Sequence, residues 1–366
     1  MFIAAQACGP HDALRLADSC VAQIGPGHTA RTGFIYATDV LAGEFDAVVD
    51  RLRRGTGIST WVGALGMGVA AGDGSVFDAP ALSVLAADFP AGATRLLEAD
   101  GGEPPTGLAA WTAAQGGGVA IVHGDGRDAT LVERLGDLAG LAGCFAMGGL
   151  ASSRVGPCFH AGSAGVGPLS GIVLAPALVA AVGLTQGCHP IGAERHRITQ
   201  ADGGLIETLD HRPALEVLRE DLARLPAGRQ AAAARSLHAA LPIAGRGDGD
   251  YLVRHLVGFD PANGTIAIAD DAEPGRELLF VGRDHDSAVA DLRRMAGRTR
   301  AAAPRARGAL YFSCVARGPH MFEDPPGELG ILREALGDIP LAGLFCDGEI
   351  FDARLYGYTG VLALLA

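Results

Sequence analysis

The sequence contains no lysine: all 29 basic residues in the 366-residue chain are arginine. This absence excludes P-loop phosphate binding, protein-kinase phosphoryl transfer and Schiff-base catalysis, because each of them needs a lysine amine. The basic residues are outnumbered by 41 acidic ones, which gives a formal net charge of −12. Since an acidic chain repels nucleic acid and anionic membranes, we expect neither as a partner.

Long apolar runs and paired cysteines are also missing. No apolar run approaches the roughly 18–20 residues of a membrane helix. The seven cysteines are scattered without a Cys-x-x-Cys pair, so we expect no disulfide framework and no metal site. The N-terminus has no signal-peptide pattern, which predicts a cytoplasmic location. Gly-x-Ser-x-Gly, His-Glu-x-x-His and a dinucleotide-binding glycine pattern are absent, so we predict no catalytic residues and no cofactor.

Three segments of the chain follow one plan. A short β-rich run opens each segment, an amphipathic helical pattern follows, and two further strands close it. The opening runs cover residues 33–38, 118–123 and 308–313, the helical patterns 45–54, 129–138 and 327–336, and the last strands 81–86, 169–175 and 360–365. Helices over 12–24, 93–115 and 286–298 are predicted to precede them. The repeat predicts βαββ units.

The repeats share the pattern Gly-x-Leu/Phe-x-x-Gly, at residues 63–68, 143–148 and 343–348. Glycines at both ends are typical of a tight turn. We therefore predict that the second strand of each repeat ends in this turn.

Residues between the second and third repeats break the plan. They predict a hairpin over 195–210, helices over 213–225 and 227–235, and strands over 251–260, 265–269 and 277–283. We place the domain boundary at residue 212, which gives an N-terminal domain over 1–212 and a C-terminal domain over 213–366. The fold class expected is α/β with mixed sheets flanked by helices, with αββα layers in two lobes.

The segment Gln186-Gly187-Cys188-His189 is the first candidate binding site. Gly187 lets the backbone approach a ligand, and a histidine beside a cysteine lowers the pKa of some thiols. The alternative is that Cys188 packs as a small hydrophobic residue. Neighbouring side chains on a strand also point in opposite directions, which argues against a direct Cys188–His189 pair.

The third repeat supplies the second candidate. Glu349 follows Gly348, and Arg317 follows the strand predicted over 308–313. A guanidinium binds a carboxylate through two hydrogen bonds and a carboxylate binds an ammonium group, so the two side chains suit a zwitterion. The alternative, an ion pair on a solvated loop, would contribute little energy.

Two stretches together resemble the FIST family, named for F-box and intracellular signal transduction proteins. The first is residues 186–192, followed by 206–210 and 213–218. The second is residues 308–318, 339–350 and 356–362. The resemblance implies a FIST N-terminal and a FIST C-terminal domain, and with them a sensory module that binds a small ligand such as an amino acid. A separate protein partner would then carry the signal onward.

Three hypotheses follow for function. The first is a ligand sensor with a pocket between the lobes, lined by Gln186, Gly187, Cys188, Arg317, Gly348 and Glu349. The second is a protein-interaction scaffold without a small-molecule ligand. The third is an acyl- or amide-transfer enzyme that depends on Cys188, for which no complete triad is readable.

Overall fold

The computed structural model describes residues 1–10, 12–71, 74–98, 106–156, 159–165, 167–192, 195–243, 250–322 and 327–366. The chain divides into two compact units. Unit 1 comprises Met1–Gln186 and Asp291–Ala366, and unit 2 comprises Gly187–Ala290. Among the described helices, none has the length and apolar character needed to span a membrane.

The α-helices in chain order are α1 (Ala13–Ile24), α2 (Phe45–Thr56), α3 (Leu108–Gln115), α4 (Leu131–Gly140), α5 (Ala214–Arg224), α6 (Ala227–Arg235), α7 (His285–Ala302), α8 (Gly318–Met321) and α9 (Gly327–Leu336). The strands up to residue 190 are β1 (Phe2–Cys8), β2 (Thr32–Thr38), β3 (Thr60–Gly66), β4 (Gly68–Ala71), β5 (Gly74–Phe77), β6 (Ala81–Ala87), β7 (Thr94–Leu97), β8 (Gly118–Gly124), β9 (Cys144–Ala151), β10 (Phe159–Ala161), β11 (Ser163–Gly165), β12 (Leu169–Leu174), β13 (Val179–Thr185) and β14 (Cys188–Pro190). The remaining strands are β15 (His196–Asp202), β16 (Leu205–Leu209), β17 (Arg212–Pro213), β18 (His238–Pro242), β19 (Tyr251–Asp260), β20 (Thr265–Ile268), β21 (Glu277–Arg283), β22 (Gly308–Cys314), β23 (Leu341–Phe351), β24 (Arg354–Tyr356) and β25 (Gly360–Leu365).

The three predicted repeats are confirmed. They are β2-α2-β3-β6, β8-α4-β9-β12 and β22-α9-β23-β25. In each repeat the two strands that flank the helix are parallel. The last strand then pairs antiparallel with the first. The mixed α/β class follows, since a helical crossover produces the parallel pair and a direct return produces the antiparallel one.

In the first repeat β3 ends at Gly66, within the shared glycine pattern, and β4 begins at Gly68. The turn predicted at this pattern is wrong for the other two repeats, because β9 and β23 continue through it. β23 continues from Leu341 through Gly343 and Gly348 to Phe351 without a turn. The glycines serve close packing instead, because a Cβ on Gly343 would lie 2.7 Å from the carbonyl oxygen of Tyr311 on the adjacent strand.

The helix predicted over 93–115 is also wrong in its first part. Thr94–Leu97 forms β7, and only Leu108–Gln115 is helical among the described residues. Residues 99–105 lie outside the described residues.

Unit 1 has two sheets packed face to face. Sheet A has the strand order β1-β6-β2-β3-β10-β11, and sheet B has the order β13-β25-β22-β23-β9-β8-β12-β7. Phe34 and Tyr36 of sheet A and Ile121 and Phe312 of sheet B share one buried core. The outer face of sheet A packs on α1 and α2, and α4 covers part of the outer face of sheet B. Unit 1 thus has αββα layers.

The repeat helices form because their apolar residues recur on one face. In α2 the residues Phe45, Val48, Val49 and Leu52 are buried, at the spacing of one helical stripe. The helix ends at Gly57, whose left-handed conformation lets its N–H bond to the carbonyl of Arg53.

The described part of unit 2 contains an antiparallel sheet, the helices α5 and α6, and the first residues of α7. Its strand order is β14-β21-β15-β16-β20-β19-β18, and the sheet closes on itself because β18 also pairs with β21. Leu215 and Leu218 of α5 pack into its core. The predicted hairpin, both helices and the three later strands of this region are confirmed.

Replacing Gly148 with alanine is expected to destabilise unit 1 by about 1–3 kcal/mol. Gly148 has a φ of +145°, and a Cβ there would overlap the carbonyl oxygen of Val122. Equilibrium urea unfolding would measure the change. Gly136→Ala is the control, because Gly136 lies in α4 with open space around it and alanine there should stabilise the helix by up to about 1 kcal/mol. Equal effects of the two substitutions would contradict the prediction.

Candidate functional site

A row of polar side chains crosses four strands of sheet B in unit 1. Ser170 of β12 lies opposite His123 of β8, His123 lies opposite Gly149 of β9, and Gly149 lies opposite Glu349 of β23. Residues directly opposite each other in a sheet lie on the same face. The neighbours two residues along these strands, Ile172, Ile121, Met147 and Phe351, belong to or pack against the core shared with sheet A. The row therefore points into the interior between the two sheets.

Each side chain of this row has a buried polar atom without a partner among the described residues. These atoms are Ser170 Oγ, His123 Nδ1 and Glu349 Oε1. All three residues have 0% of their surface exposed. An unpaired buried polar group lowers the free energy of unfolding by about 1–3 kcal/mol. The three unpaired atoms of this row therefore destabilise unit 1. We therefore take this row as the candidate site.

Glu349 is the acidic end of the row. Its Oε2 accepts hydrogen bonds from the backbone N–H of Thr359 at 3.1 Å and from the Thr359 hydroxyl at 2.7 Å. Burial raises the pKa of Glu349 well above its usual range, although the bonds from Thr359 act in the opposite direction. Burial therefore favours the uncharged form of this carboxyl group.

His123 lies at the centre of the row. Its Nε2 is 3.4 Å from the hydroxyl oxygen of Tyr36, and its ring packs edge-on against the Tyr36 ring. Burial lowers the pKa of His123 to about 3. The imidazole is consequently neutral at physiological pH, and it adds no charge to the row.

Cys346 fills the space above Gly149. A Cβ on Gly149 would overlap the Cys346 sulfur, so glycine is required there for the thiol to fit. Burial raises the pKa of the Cys346 thiol well above its usual range, and Glu349 adds to this effect. Cys346 is therefore a packed thiol and a poor nucleophile.

Native-state alkylation at pH 8 should follow thiol exposure. Cys8 is exposed, whereas Cys20, Cys144 and Cys346 are buried. Burial raises the pKa of Cys20 to about 12 and that of Cys144 to about 11. We expect iodoacetamide to label Cys8 first and the three buried thiols only after unfolding, as followed by peptide mass spectrometry. Early labelling of Cys346 would contradict the packing described above.

Arg317 belongs to a second buried cluster, on the outer face of sheet B. Its Nε and Nη2 donate to Glu328 Oε1 of α9, at 2.9 and 2.7 Å. Two hydroxyl groups of β22, from Tyr311 and Ser313, also donate to this carboxylate. Burial is the largest single influence and lowers the pKa of Arg317, but the charges of Glu328, Tyr311 and Glu349 and the hydrogen bond to Glu328 together raise it. Burial, and next the charge of Glu328, raise the pKa of Tyr311 well above its usual range. The guanidinium is thus engaged inside the protein.

The structure places the six predicted site residues in different surroundings. Gln186, Arg317, Gly348 and Glu349 lie in unit 1, and Gly187 and Cys188 lie in unit 2. Arg317 and Glu349 are both buried, and each influences the other electrostatically. Gly348 has a φ of +132° at the bulge that turns Glu349 toward the interior. The backbone N–H of Gln186 donates to Asp291 at 2.7 Å.

Cys188 is half-buried on β14 in unit 2. The hydroxyl of Tyr251 donates to its carbonyl oxygen at 3.3 Å. The Nδ1 atom of His189 lies 3.1 Å from the hydroxyl of Ser287 and 3.2 Å from the carboxylate of Asp284. Asp284, which precedes α7, and Ser287, in the first turn of α7, therefore fix the position of the His189 imidazole.

Sequence reasoning missed Ser170, His123 and Glu328. A single polar residue near the end of an apolar strand was the available signal for the first two. The functional role of these residues can be inferred only from the order of the strands in sheet B, which places residues of separate repeats side by side. In the described parts of the chain, no cluster of three or more histidine, cysteine or acidic side chains is arranged to hold a metal ion.

Comparison with known proteins agrees with the repeats and motifs. Residues 31–212 match the model of the FIST N domain, and residues 214–352 match that of the FIST C domain. An uncharacterised protein of Mycobacterium bovis is 38% identical over 190 residues, or 50% of this chain and 49% of that protein. An uncharacterised protein of Mycobacterium tuberculosis is 38% identical over 194 residues, with the same coverage.

The match spans about half the length of these curated relatives. The two family models together cover most of the chain. The resemblance found in the sequence is thereby confirmed: the chain belongs to the FIST family, whose domains are sensory domains of signal transduction.

Proposed function

We propose that the chain is a cytoplasmic sensory module whose unit 1 binds a small polar metabolite along the row Ser170–His123–Glu349, and that it signals through a separate protein partner. The observation that carries this proposal is the alignment of three unpaired, fully buried polar atoms on adjacent strands. A ligand that displaces the Cys346 thiol from above Gly149 and bonds to all three atoms would recover the free energy that these unpaired atoms cost. An amino acid is the ligand that family resemblance suggests.

Burial of the row sets how a ligand enters. Because all three side chains are fully buried, binding requires a local opening of unit 1. The signal would follow from the same step, since a ligand that binds the opened state changes the population of that state. The free thiols of Cys20, Cys144 and Cys346 agree with a reducing compartment.

Gln186, Gly187 and Cys188 remain predicted ligand contacts. Gly187 suits that role in one respect. It has a φ of +64°, and because it is a glycine no side chain covers its backbone. Alanine at Cys188 tests this prediction through the affinity of any ligand found for the chain.

A thermal-shift panel of amino acids and related metabolites tests the proposed function. A ligand at ~100 times its Kd adds about 2.7 kcal/mol of stability, which is readily detected. Ser170→Ala should weaken the response by removing one hydrogen bond. Ser19→Ala, on the exposed face of α1, should leave it unchanged. A response that survives Ser170→Ala at full strength would contradict the assignment to this row.

A protein-interaction scaffold is the second candidate, favoured by the edge of sheet A. β1 is the terminal strand of that sheet, and the side chain of Gln23 bonds to both backbone groups of Gln6 on its outer edge. A cleft beside it is lined by Ala4, Gln6 and the α9–β23 connection. An extended segment of a partner could pair with this edge beside Ala4, whereas pairing at Gln6 would have to displace the Gln23 side chain. Slower hydrogen exchange at Ala4 in a partner complex, with a flat metabolite panel, would favour this function.

A further inference from the structure

We propose that the ligand of this row is a primary amine held through its ammonium group by Glu349, and that no carboxylate is recognised by Arg317. The inference rests on the proposed sensory function and specifies the chemistry of the same site. The sequence suggests that Glu349 and Arg317 bind the two charged groups of one zwitterion, whereas we assign ligand binding to Glu349 alone.

The first step is the acceptor left on Glu349. Thr359 bonds twice to Oε2, while Oε1 has no partner among the described residues. An ionised carboxylate has acceptors only, and an ammonium group has three donors and no acceptor. An ammonium group at Oε1 would therefore satisfy the unpaired oxygen and neutralise the charge.

The second step is that Arg317 is already occupied. It is 1% exposed and Glu328 is 3% exposed, and two of its nitrogens bond to one oxygen of Glu328. A ligand carboxylate would have to displace Glu328 and leave that carboxylate buried without its counter-charge. It would also remove the acceptor of the Tyr311 hydroxyl.

The third step concerns the rest of the row. With its proton on Nε2, toward Tyr36 Oη, neutral His123 offers Nδ1 as an acceptor. The Ser170 hydroxyl accepts as well. Three strand spacings of about 4.8 Å separate Ser170 from Glu349, so the row is roughly 14 Å long. A ligand that reaches from Glu349 to Ser170 has to displace the Cys346 thiol above Gly149, and this length suits an amine that carries a second donor group away from its ammonium end.

Proton balance gives the inference a distinctive signature. Burial raises the pKa of Glu349 and so favours its protonated form before a ligand binds. An arriving ammonium ion pairs with the carboxylate form, so the carboxyl proton leaves for solvent and the buried pair stays neutral. The charged or titratable groups that act on Glu349 and its neighbour Cys346 are Arg317, Glu328, Cys314 and Asp347. None of them has to change its charge in this step.

Matched derivatives of one amino acid test the chemistry on the unaltered chain. An amino acid amide keeps the ammonium group without a carboxylate, and an N-acetyl amino acid keeps the carboxylate without an ammonium group. Both derivatives of all twenty amino acids, with the parent compounds and simple diamines, would be screened by thermal shift. We expect amides or diamines to raise the midpoint and N-acetyl compounds to leave it unchanged. Binding of N-acetyl compounds alone would overturn this inference and leave the sensory function standing, whereas a flat response to every compound would count against both.

Calorimetry with the best amide or diamine then tests Glu349 itself. Titrations in phosphate and in HEPES, whose ionisation enthalpies differ and neither of which is a primary amine, should report the release of about one proton per ligand. Glu349→Gln keeps the shape of the side chain, but it should abolish proton release and lower the affinity by roughly 10- to 100-fold. Glu334→Gln on the exposed face of α9 is the control and should change neither value. Proton release that persists in Glu349→Gln would overturn the inference.

Discussion

Replacing Arg317 with methionine is expected to destabilise unit 1 by about 3–5 kcal/mol. The substitution leaves Glu328 buried, with two hydroxyl donors but no counter-charge. Removing one partner of a buried ion pair is costly because the remaining charge keeps its full desolvation penalty. Urea unfolding followed by circular dichroism would measure the loss as a lower midpoint.

A double-mutant cycle with Glu328→Gln isolates the pair. Glutamine keeps an acceptor for Tyr311 and Ser313 but removes the charge, so Arg317→Met/Glu328→Gln should be more stable than the sum of the single changes implies. Arg293→Met is the surface control. Its ion pair with Glu334 is 3.6 Å long and exposed on both sides, and its loss should cost less than about 1 kcal/mol. A cost for Arg317→Met as small as that of the control would show that the pair is not buried in solution.

This result bears on how ligand assays are interpreted. A variant at Arg317 that fails to bind would reflect the lost packing of α9 on β22 as much as a lost contact. Ser170 and Glu349 are better probes, because each has an atom that makes no bond within the described protein. Ser170→Ala removes no hydrogen bond within the described protein, and Glu349→Gln keeps an acceptor for Thr359.

The sequence predicted the repeats well because their signals are local. The helix over 327–336 and the strand over 360–365 are found with the predicted bounds, since apolar spacing and flanking glycines define both. The error at Gly343 has a physical reason. The sequence does not distinguish a glycine that permits the close approach of two strands from a glycine that permits a turn. Only the position of the partner strand distinguishes the two cases.

The candidate site could be predicted only in part, because it depends on contacts distant in sequence. Arg317 and Glu349 stand out by residue type, but the partner of Arg317 is set by the packing of α9 on β22. His123 and Glu349 come from different repeats, and the pairing of β9 with β23 places them in one row. The hydrophobic periodicity within either segment gives no information about which strands pair.

Replacing Asp221 with alanine should destabilise unit 2 by about 3–5 kcal/mol, for a reason of the same kind. Asp221 is 1% exposed on α5, and its carboxylate lies 2.9 Å from Nε2 of His196 on β15. The Nδ1 atom of His196 is 2.7 Å from Asp210. The His196 ring thus joins a helix, a strand and a turn. Its raised pKa favours the cationic form, which the substitution leaves buried with one counter-charge removed. Thermal unfolding would measure the cost, with Glu277→Gln, in an exposed pair with Arg195, as the control.

The pH dependence of this interaction has a defined sign. The hydrogen bond to Asp221 is the largest cause that raises the pKa of His196, and burial acts against it. A raised histidine pKa contributes stability that is complete below the unfolded value of about 6.5 and is lost as the pH rises through the folded value. Wild-type unit 2 should therefore lose stability as the pH rises above about 6.5, and Asp221→Asn should flatten this slope while keeping a hydrogen-bond acceptor. An unchanged slope in Asp221→Asn would mean that His196 is neutral in the folded chain, in which case Asp221 would act on α5 through Arg224, 3.0 Å away, instead.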